Sequence, residues 1–318
     1  MALLPFVKAE GLGNDFIVVD LRPGRPAHAL ADQVTEPGTV RALCDRHFGV
    51  GSDGVLAILP GARGDARMRV LNADGSEAEM CGNGIRCVAQ LLYERDPGLC
   101  RDTLHIDTGA GLLTCTVHRK DGRADTVAVA MGTPELSPRL IPVASSAPRL
   151  VRAPLPAADR QFLFTAVSMG NPHAVIFVDD PAADLHALAR RYGPGIEIDP
   201  RFPRRTNVEF ARILRNSAMG PGSTEIELVV WERGCGITLA CGTGACATVV
   251  AACLEDRAPT DREVPVRLPG GTLFIAVKAA TSRGERSLGT VTMRGPARRV
   301  FDAEIELATL AGLGRTDQ

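Results

Sequence analysis

The sequence predicts a two-domain α/β protein built from two similar halves. Three observations carry this. The chain has 318 residues, and at roughly 100–200 residues per domain that length fits two domains. Landmarks of the first half recur in the second in the same order. A proline-dense stretch lies between them.

The echo is specific. Gly13-Asn14-Asp15-Phe16-Ile17-Val18-Val19-Asp20 resembles Gly170-Asn171-Pro172-His173-Ala174-Val175-Ile176-Phe177-Val178-Asp179, with Asn14 and Asn171 157 residues apart. Cys81-Gly82-Asn83-Gly84 resembles Cys241-Gly242-Thr243-Gly244 at an offset of 160. A weaker third pair, Phe48 to Gly54 with Phe202 to Val208, lies at 154. Between the halves, Pro134, Pro138, Pro142, Pro148, Pro154 and Pro156 crowd residues 133–158. Helices and central strands do not tolerate that density, so this stretch reads as a connector.

Within each half the short β-rich runs read as strands. In the first half these are Phe16 to Asp20, Arg67 to Leu71 and Thr126 to Ala130. Their counterparts are Ala174 to Val178, Glu225 to Trp231 and Leu273 to Val277. A helix follows each Cys-Gly segment, over about 84–95 and 244–255. Val40 to Arg46 and Asp184 to Tyr192 read as amphipathic helices. Gly220-Pro221-Gly222 marks a loop tip in the second half.

Composition excludes several classes. The 36 basic and 37 acidic residues nearly cancel, and 13 aromatics are few for base stacking, which argues against nucleic acid. Gly and Pro make 55 of 318 residues, below the roughly 25–30% of disordered chains. The N-terminal MALLPFVKAEGLGNDF has no signal-peptide pattern. The uncharged run from Gly234 to Leu254 is long enough to span a bilayer, but its glycines, its threonines and its lack of an aromatic belt favour a buried loop and helix. Nine cysteines without a secretion signal read as reduced thiols in a cytoplasmic protein.

The chemistry centres on Cys81 and Cys241. Each precedes Gly-x-Gly and a helical run, which puts each sulfur at a helix N-terminus among outward-pointing N–H groups. That position favours an anion and is expected to lower the thiol pKa; the same N–H groups suit a substrate carboxylate. One such cysteine suggests a nucleophile. Two in pseudo-symmetric halves that close face to face suggest an acid–base pair acting on opposite faces of one carbon. The other cysteines read as core: Cys44, Cys100, Cys115, Cys235 and Cys253, and within the helices Cys87 and Cys246. No paired C-x2-C or His pair supports zinc, and no C-x-x-C supports dithiol redox chemistry. Gly11-Leu12-Gly13 matches only part of a dinucleotide motif and precedes a strand. None of the three lysines sits in a phosphate loop, so pyridoxal phosphate is poorly supported.

These motifs resemble the diaminopimelate epimerase family of the pyridoxal-independent, two-cysteine racemase superfamily. The matching segments are Gly11 to Phe16, Asn72 to Gly84, Gly170-Asn171-Pro172-His173, Thr206-Asn207-Val208-Glu209, and Trp231-Glu232-Arg233-Gly234 through Cys241 to Cys246. They span nearly the whole chain in order. The resemblance implies two similar domains, each a curved, mostly antiparallel sheet around a central helix, with the active site in the cleft between them. It places residues 1–132 with about 298–318 in the first domain and 133–297 in the second. It implies interconversion of LL- and meso-diaminopimelate, in lysine and peptidoglycan precursor biosynthesis, with no metal and no organic cofactor. Cys81 and Cys241 would be acid and base. Asn14, Asn72, Asn171 and Asn207 would bind substrate amino and carboxylate groups. Gly82, Asn83, Gly242 and Thr243 would hold the reacting carboxylate, and Arg233 the distal one. His173 and Glu232 would contact the cysteines and tune their pKa values, with Glu232 also near substrate. A homodimer is implied, with Phe301 where the family interface often has Tyr.

From the residues alone, Asn14 and Asn171 also fit turn positions, and Glu232-Arg233 a surface ion pair. Asn72 and Glu232 stand equally far ahead of the two cysteines, a pattern of equivalent elements building one site. Ser52-Asp53-Gly54 departs from relatives that carry Gln at the last position, so that contact does not transfer. Residues 133–158 and the loop near 215–224 exceed what the family needs and read as surface insertions. Two other functions fit less well: a racemase or isomerase for another amino acid or small acid, and a non-catalytic amino-acid-binding protein, which would need neither thiol.

Overall fold

In the computed structural model the described residues are 3–215, 224–282 and 285–310. The expected loop tip at Gly220-Pro221-Gly222 lies outside them. The chain divides into two compact units, Met1–Val129 with Gly295–Gln318, and Ala130–Arg294.

The first unit begins with β1 (Leu3–Gly11) and β2 (Asn14–Asp20), followed by the short helices α1 (Ala31–Val34) and α2 (Pro37–Cys44). Next come β3 (Gly54–Leu59), β4 (Ala66–Asn72), the two-residue β5 (Glu77–Ala78) and α3 (Gly82–Arg95). β6 (Thr103–Thr108), β7 (Gly111–Lys120) and β8 (Arg123–Gly132) complete the run. Pairing is antiparallel for β1–β2, β3–β4, β6–β7 and β7–β8, and parallel for β2–β3 and β4–β6. The α2 helix starts earlier than its apolar spacing suggests, because Glu36 caps it and Pro37 occupies its first turn.

The second unit repeats this order. β9 (Ala153–Ala157) pairs with β10 (Arg160–Ser168), and β11 (Pro172–Phe177) leads to α4 (Leu185–Glu197). β12 (Asn207–Arg215), β13 (Thr224–Glu232), the short β14 (Gly236–Ile237) and α5 (Gly242–Leu254) follow, then β15 (Glu263–Leu268), β16 (Gly271–Ser282) and β17 (Glu285–Pro296). β11–β12 and β13–β15 are parallel; β10–β11, β12–β13, β15–β16 and β16–β17 are antiparallel. β18 (Arg298–Glu306) returns to pair with β1 in the first unit, and α6 (Leu307–Leu310) follows it.

Both faces of the central strands are covered, which explains their continuous apolar runs. Ile17 and Val19 of β2 pack with Val40 and Leu43 of α2, and Val55 and Ala57 of β3 join them. In the second unit Ala174, Ile176, Val208 and Phe210 pack with Leu185, Ala189, Tyr192 and Ile196 of α4. Successive strand residues alternate faces, so Phe16, Leu56, His173 and Glu209 face away from these clusters. The α5 helix is buried on nearly every side, from Gly242 to Cys253, so it needs no charged face. That burial accounts for the uncharged run in the sequence. No helix among the described residues is long and apolar enough to cross a membrane.

The proline-dense stretch departs from the expected surface connector. Ile141, Val143 and Leu155 are buried in the second unit's core, and Ala153–Ala157 is a strand. Pro154 and Pro156 alternate outward around buried Leu155. At a sheet edge proline's missing N–H breaks no ladder bond.

Candidate active site

Each unit offers a half-site of the same design. Cys81 is the N-cap of α3 and Cys241 the N-cap of α5, both with extended backbone. Gly84 N–H donates to Cys81 Sγ at 3.4 Å, and Gly244 N–H donates to Cys241 Sγ at 3.4 Å. The side chain therefore takes the role Ser or Asp usually plays at a helix start. Gly82 and Asn83 open α3, and Gly242 and Thr243 open α5. Backbone N–H groups at those positions have no acceptor within their helix, so an anion beside the thiol meets ready donors.

In the first half-site Asn14 Oδ1 accepts from Cys81 Sγ at 3.8 Å and from Asn83 Nδ2 at 3.3 Å. Its Nδ2 donates to Asp53 Oδ2 at 2.7 Å, which fixes the amide with its oxygen toward the thiol. Arg46 bridges Asp53 and Asp15 at 2.7 Å each, and Lys8 also pairs with Asp15. Burial alone pushes Asp15 upward, but Arg46 and Lys8 together hold it below its ordinary value. Asn72 closes the turn before β5, its Nδ2 donating to Ser76 Oγ at 3.0 Å. Arg86, fully buried in α3, donates to Asn83 Oδ1 at 2.9 Å and Gly82 O at 3.0 Å, which locks the helix start. A Cβ on Gly54 would lie 2.6 Å from Leu71 O, so backbone fills the space a larger side chain would need there.

In the second half-site the thiol is buried and surrounded differently. Glu232 is the carboxylate that acts most strongly on Cys241, and Thr238 Oγ1 donates to Glu232 Oε1. Thr243 Oγ1 lies 3.6 Å from Cys241 Sγ, and Asn171 Nδ2 donates to that hydroxyl at 3.3 Å. His173 meets Asn171 Oδ1 through Nε2 at 3.0 Å and Glu209 Oε1 through Nδ1 at 2.6 Å. His173 and Glu209 are both completely buried. Asn207 spends its amide on backbone: Nδ2 donates to Pro172 O and Oδ1 accepts from Arg233 N–H, each at 2.9 Å. Arg233 Nη1 donates to Arg204 O at 3.1 Å.

Electrostatics in this half oppose the expected helix effect. Burial pushes the Cys241 thiol well above its ordinary pKa, and Glu232 and Glu209 push it further. Thr243 and the Gly244 N–H act the other way and do not win. Burial also raises Glu232 and Glu209, against their hydrogen bonds to Thr238 and His173 respectively. The expectation of a lowered thiol is therefore corrected for Cys241, because desolvation and two carboxylates outweigh the helix terminus.

Two more expectations change. Cys100 and Cys235 are exposed rather than core, since one follows the short 3-10 turn Pro97–Leu99 and the other lies in the turn ahead of β14. Cys44, Cys87, Cys115, Cys246 and Cys253 are buried, and burial drives Cys87 and Cys115 up to about 12. Glu232 acts on Cys241 as its strongest neighbouring charge, whereas the His173 ring nitrogens are engaged by Glu209 and Asn171. Sequence reasoning gave no role to Asp53, Arg86, Thr238 or Glu209. Asp53 and Glu209 stood inside quoted motifs and Thr238 within the segment that runs to Cys246, whereas Arg86 lay outside all of them.

The fold is that of two-domain racemases and their relatives. A hydroxyproline epimerase from Agrobacterium vitis superposes with a TM-score of 0.65 at 17% identity, covering 96% of this chain and 91% of its own. A PhzF-family phenazine biosynthesis protein from Bacillus anthracis gives 0.65 at 16%, covering 96% and 100%. The sequence is more decisive. The profile of the diaminopimelate epimerase family matches residues 6–137 and 165–300. The diaminopimelate epimerase of Desulforudis audaxviator is 48% identical over 95% of this chain and 99% of its own length. That of Synechocystis is 46% identical over 96% and 99%. The chain belongs to the diaminopimelate epimerase family and is an isomerase of that family.

Proposed function

We propose that the chain interconverts LL- and meso-diaminopimelate by a two-thiol mechanism, as a cytoplasmic homodimer. One thiolate removes the α-proton and becomes a thiol. The other thiol delivers its proton to the opposite face and becomes a thiolate. The pair ends with its protonation states exchanged, and the reverse reaction restores them. The helix-start N–H groups at Gly82, Asn83, Gly242 and Thr243 would stabilise charge that builds on the reacting carboxylate. Arg233 would receive the distal carboxylate with a planar donor fork. Asn14, Asn72 and Asn171 would read the amino and carboxylate groups, while Asn207 holds the Arg233 turn in place.

The observation that carries this reading is the duplicated thiol cap. Two units of like topology place a cysteine at the same helix-start position, each with a Gly N–H on its sulfur. A structural cysteine needs no such repetition, and a binding protein gains nothing from it. For the dimer, exposed Phe301 on β18, edge-on to Phe6 at 6.3 Å, offers an apolar contact.

The test is inversion of LL-diaminopimelate followed by chiral chromatography. Cys81→Ser and Cys241→Ser should each reduce it by at least about 10³-fold, because an alcohol is a far poorer acid than a thiol and triad-like units fail as a whole. Near-wild-type inversion in either variant would remove the two-thiol mechanism.

A further inference from the structure

The two units pair their strands in the same register, which allows residue-by-residue comparison. Phe16 of β2 lies opposite Gly54 of β3; His173 of β11 lies opposite Asn207 of β12. Two residues on, Leu56 and Glu209 therefore occupy equivalent places. This offset of 153 (Gly54 to Asn207) corrects by one residue the alignment read from sequence. The helix starts agree. A Cβ on Gly84 would meet Leu56 at 2.9 Å; on Gly244 it would meet Glu209 Oε1 at 3.1 Å and Cys241 Sγ at 3.1 Å.

So the floor beneath Cys81 is Phe16 and Leu56, both buried and apolar. The floor beneath Cys241 is His173 and Glu209, both buried and polar. The same architecture packs well with hydrocarbon at these two positions, so stability alone does not require the pair. From Glu209 a continuous polar chain runs to the thiol. Glu209 Oε1 holds His173 Nδ1, and His173 Nε2 meets Asn171 Oδ1. An amide oxygen only accepts, so Nε2 is the donor and carries a proton. Asn171 then presents Nδ2 to Thr243 Oγ1, whose own O–H is left for Cys241 Sγ.

We propose that Glu209 is a positioning residue for Cys241: by fixing the His173 ring and, through it, the Asn171 amide, it aims the Thr243 hydroxyl at the sulfur. Glu209 touches no reacting atom. The chain gives Cys241 a donor when it is a thiolate. At Cys81 the corresponding amide, Asn14, presents its oxygen to the sulfur as an acceptor instead. The second oxygen of Glu209, Oε2, has no hydrogen-bond partner among the described residues. A carboxylate kept this way, where a leucine serves in the other unit, is retained for what Oε1 does.

The inference rests on the epimerase reading, and three variants test it. Glu209→Gln keeps the shape and removes the carboxylate. It should lower kcat for LL-diaminopimelate by about 10–100-fold, the usual loss on removing an orienting partner, with KM changed less than about two-fold. The double variant His173→Phe with Glu209→Leu copies the first unit's floor. It should fold with a near-native melting temperature, whereas Glu209→Leu alone strands His173 and should be less stable. The double variant should remain without useful kcat. In nitrogen-edited proton NMR the short Nδ1–H···Glu209 bond should give a far-downfield imidazole proton, lost in Glu209→Gln. Wild-type kcat in Glu209→Gln, or recovered kcat in the double variant, would make the pair mere packing and overturn the proposal. Failure of wild-type protein to invert the substrate would instead refute the epimerase reading, and the imidazole signal would still report on the Glu209–His173 contact.

Discussion

At the scale of single residues, two cysteines with the same cap geometry sit in different fields. The contrast follows from three substitutions at equivalent places: Phe16 to His173, Leu56 to Glu209 and Asn72 to Glu232. Each adds a titratable group around the second thiol. Glu232 is the neighbouring charge with the largest effect on Cys241, after burial itself. At a pH high enough to ionise so raised a thiol, Glu232 is already an anion. Glu232→Gln removes that repulsion and should move the Cys241 pKa down. Site-resolved alkylation followed by mass spectrometry should then show its pH midpoint at lower pH than in wild type. A midpoint unchanged or higher would mean that Glu232 does not repel the thiolate. The thiol positions themselves were legible, because Cys-Gly-x-Gly before an apolar run specifies a cap. Glu209 was not: it joins His173 across 36 residues through a parallel strand pairing, which the sequence alone does not reveal.

Elements show where local signals yield to packing. The helix expected over Asp184 to Tyr192 continues as α4 to Glu197, with Pro194 inside it. Tertiary contacts hold that last turn. Trp231 Nε1 donates to Glu197 Oε2 at 2.8 Å, and Glu197 Oε1 accepts from Gly234 N–H at 3.0 Å. Gly193 lets the indole approach: a Cβ there would lie 2.6 Å from the Trp231 ring. Ala in a helix gains about 0.5–1 kcal/mol over Gly, while overpacking a filled core costs about 1–3 kcal/mol. With so tight a contact to the indole the clash should win, so Gly193→Ala should be less stable than wild type by up to about 2.5 kcal/mol and unfold at lower denaturant concentration. A stabilised variant would show that the indole can move aside. The proline-dense segment teaches the same lesson in reverse. Proline density ruled out helix and central strand correctly, but an edge strand with outward prolines and a buried Leu155 was still open to it.

For the whole molecule, the duplication was visible from three landmark pairs, because turn glycines and helix caps leave a sequence trace at each recurrence. The topology behind them was not, since parallel pairings such as β4–β6 and β13–β15 join strands that are distant in sequence. Duplication also explains why the chemistry needs no cofactor in the proposed mechanism: two copies of one thiol cap supply an acid and a base of the same kind. Divergence at Phe16/His173 and Leu56/Glu209 then makes the copies unequal without disturbing the fold. The central claim is that inversion uses two separate proton carriers. The most direct test is early-phase reaction of LL-diaminopimelate in D2O, with deuterium at the α-carbon measured separately in product and in recovered substrate. Two carriers predict meso product labelled from the first turnovers and recovered LL substrate that is essentially unlabelled. Equal labelling of both isomers from the start would mean that one group moves the proton to either face, and would contradict the account.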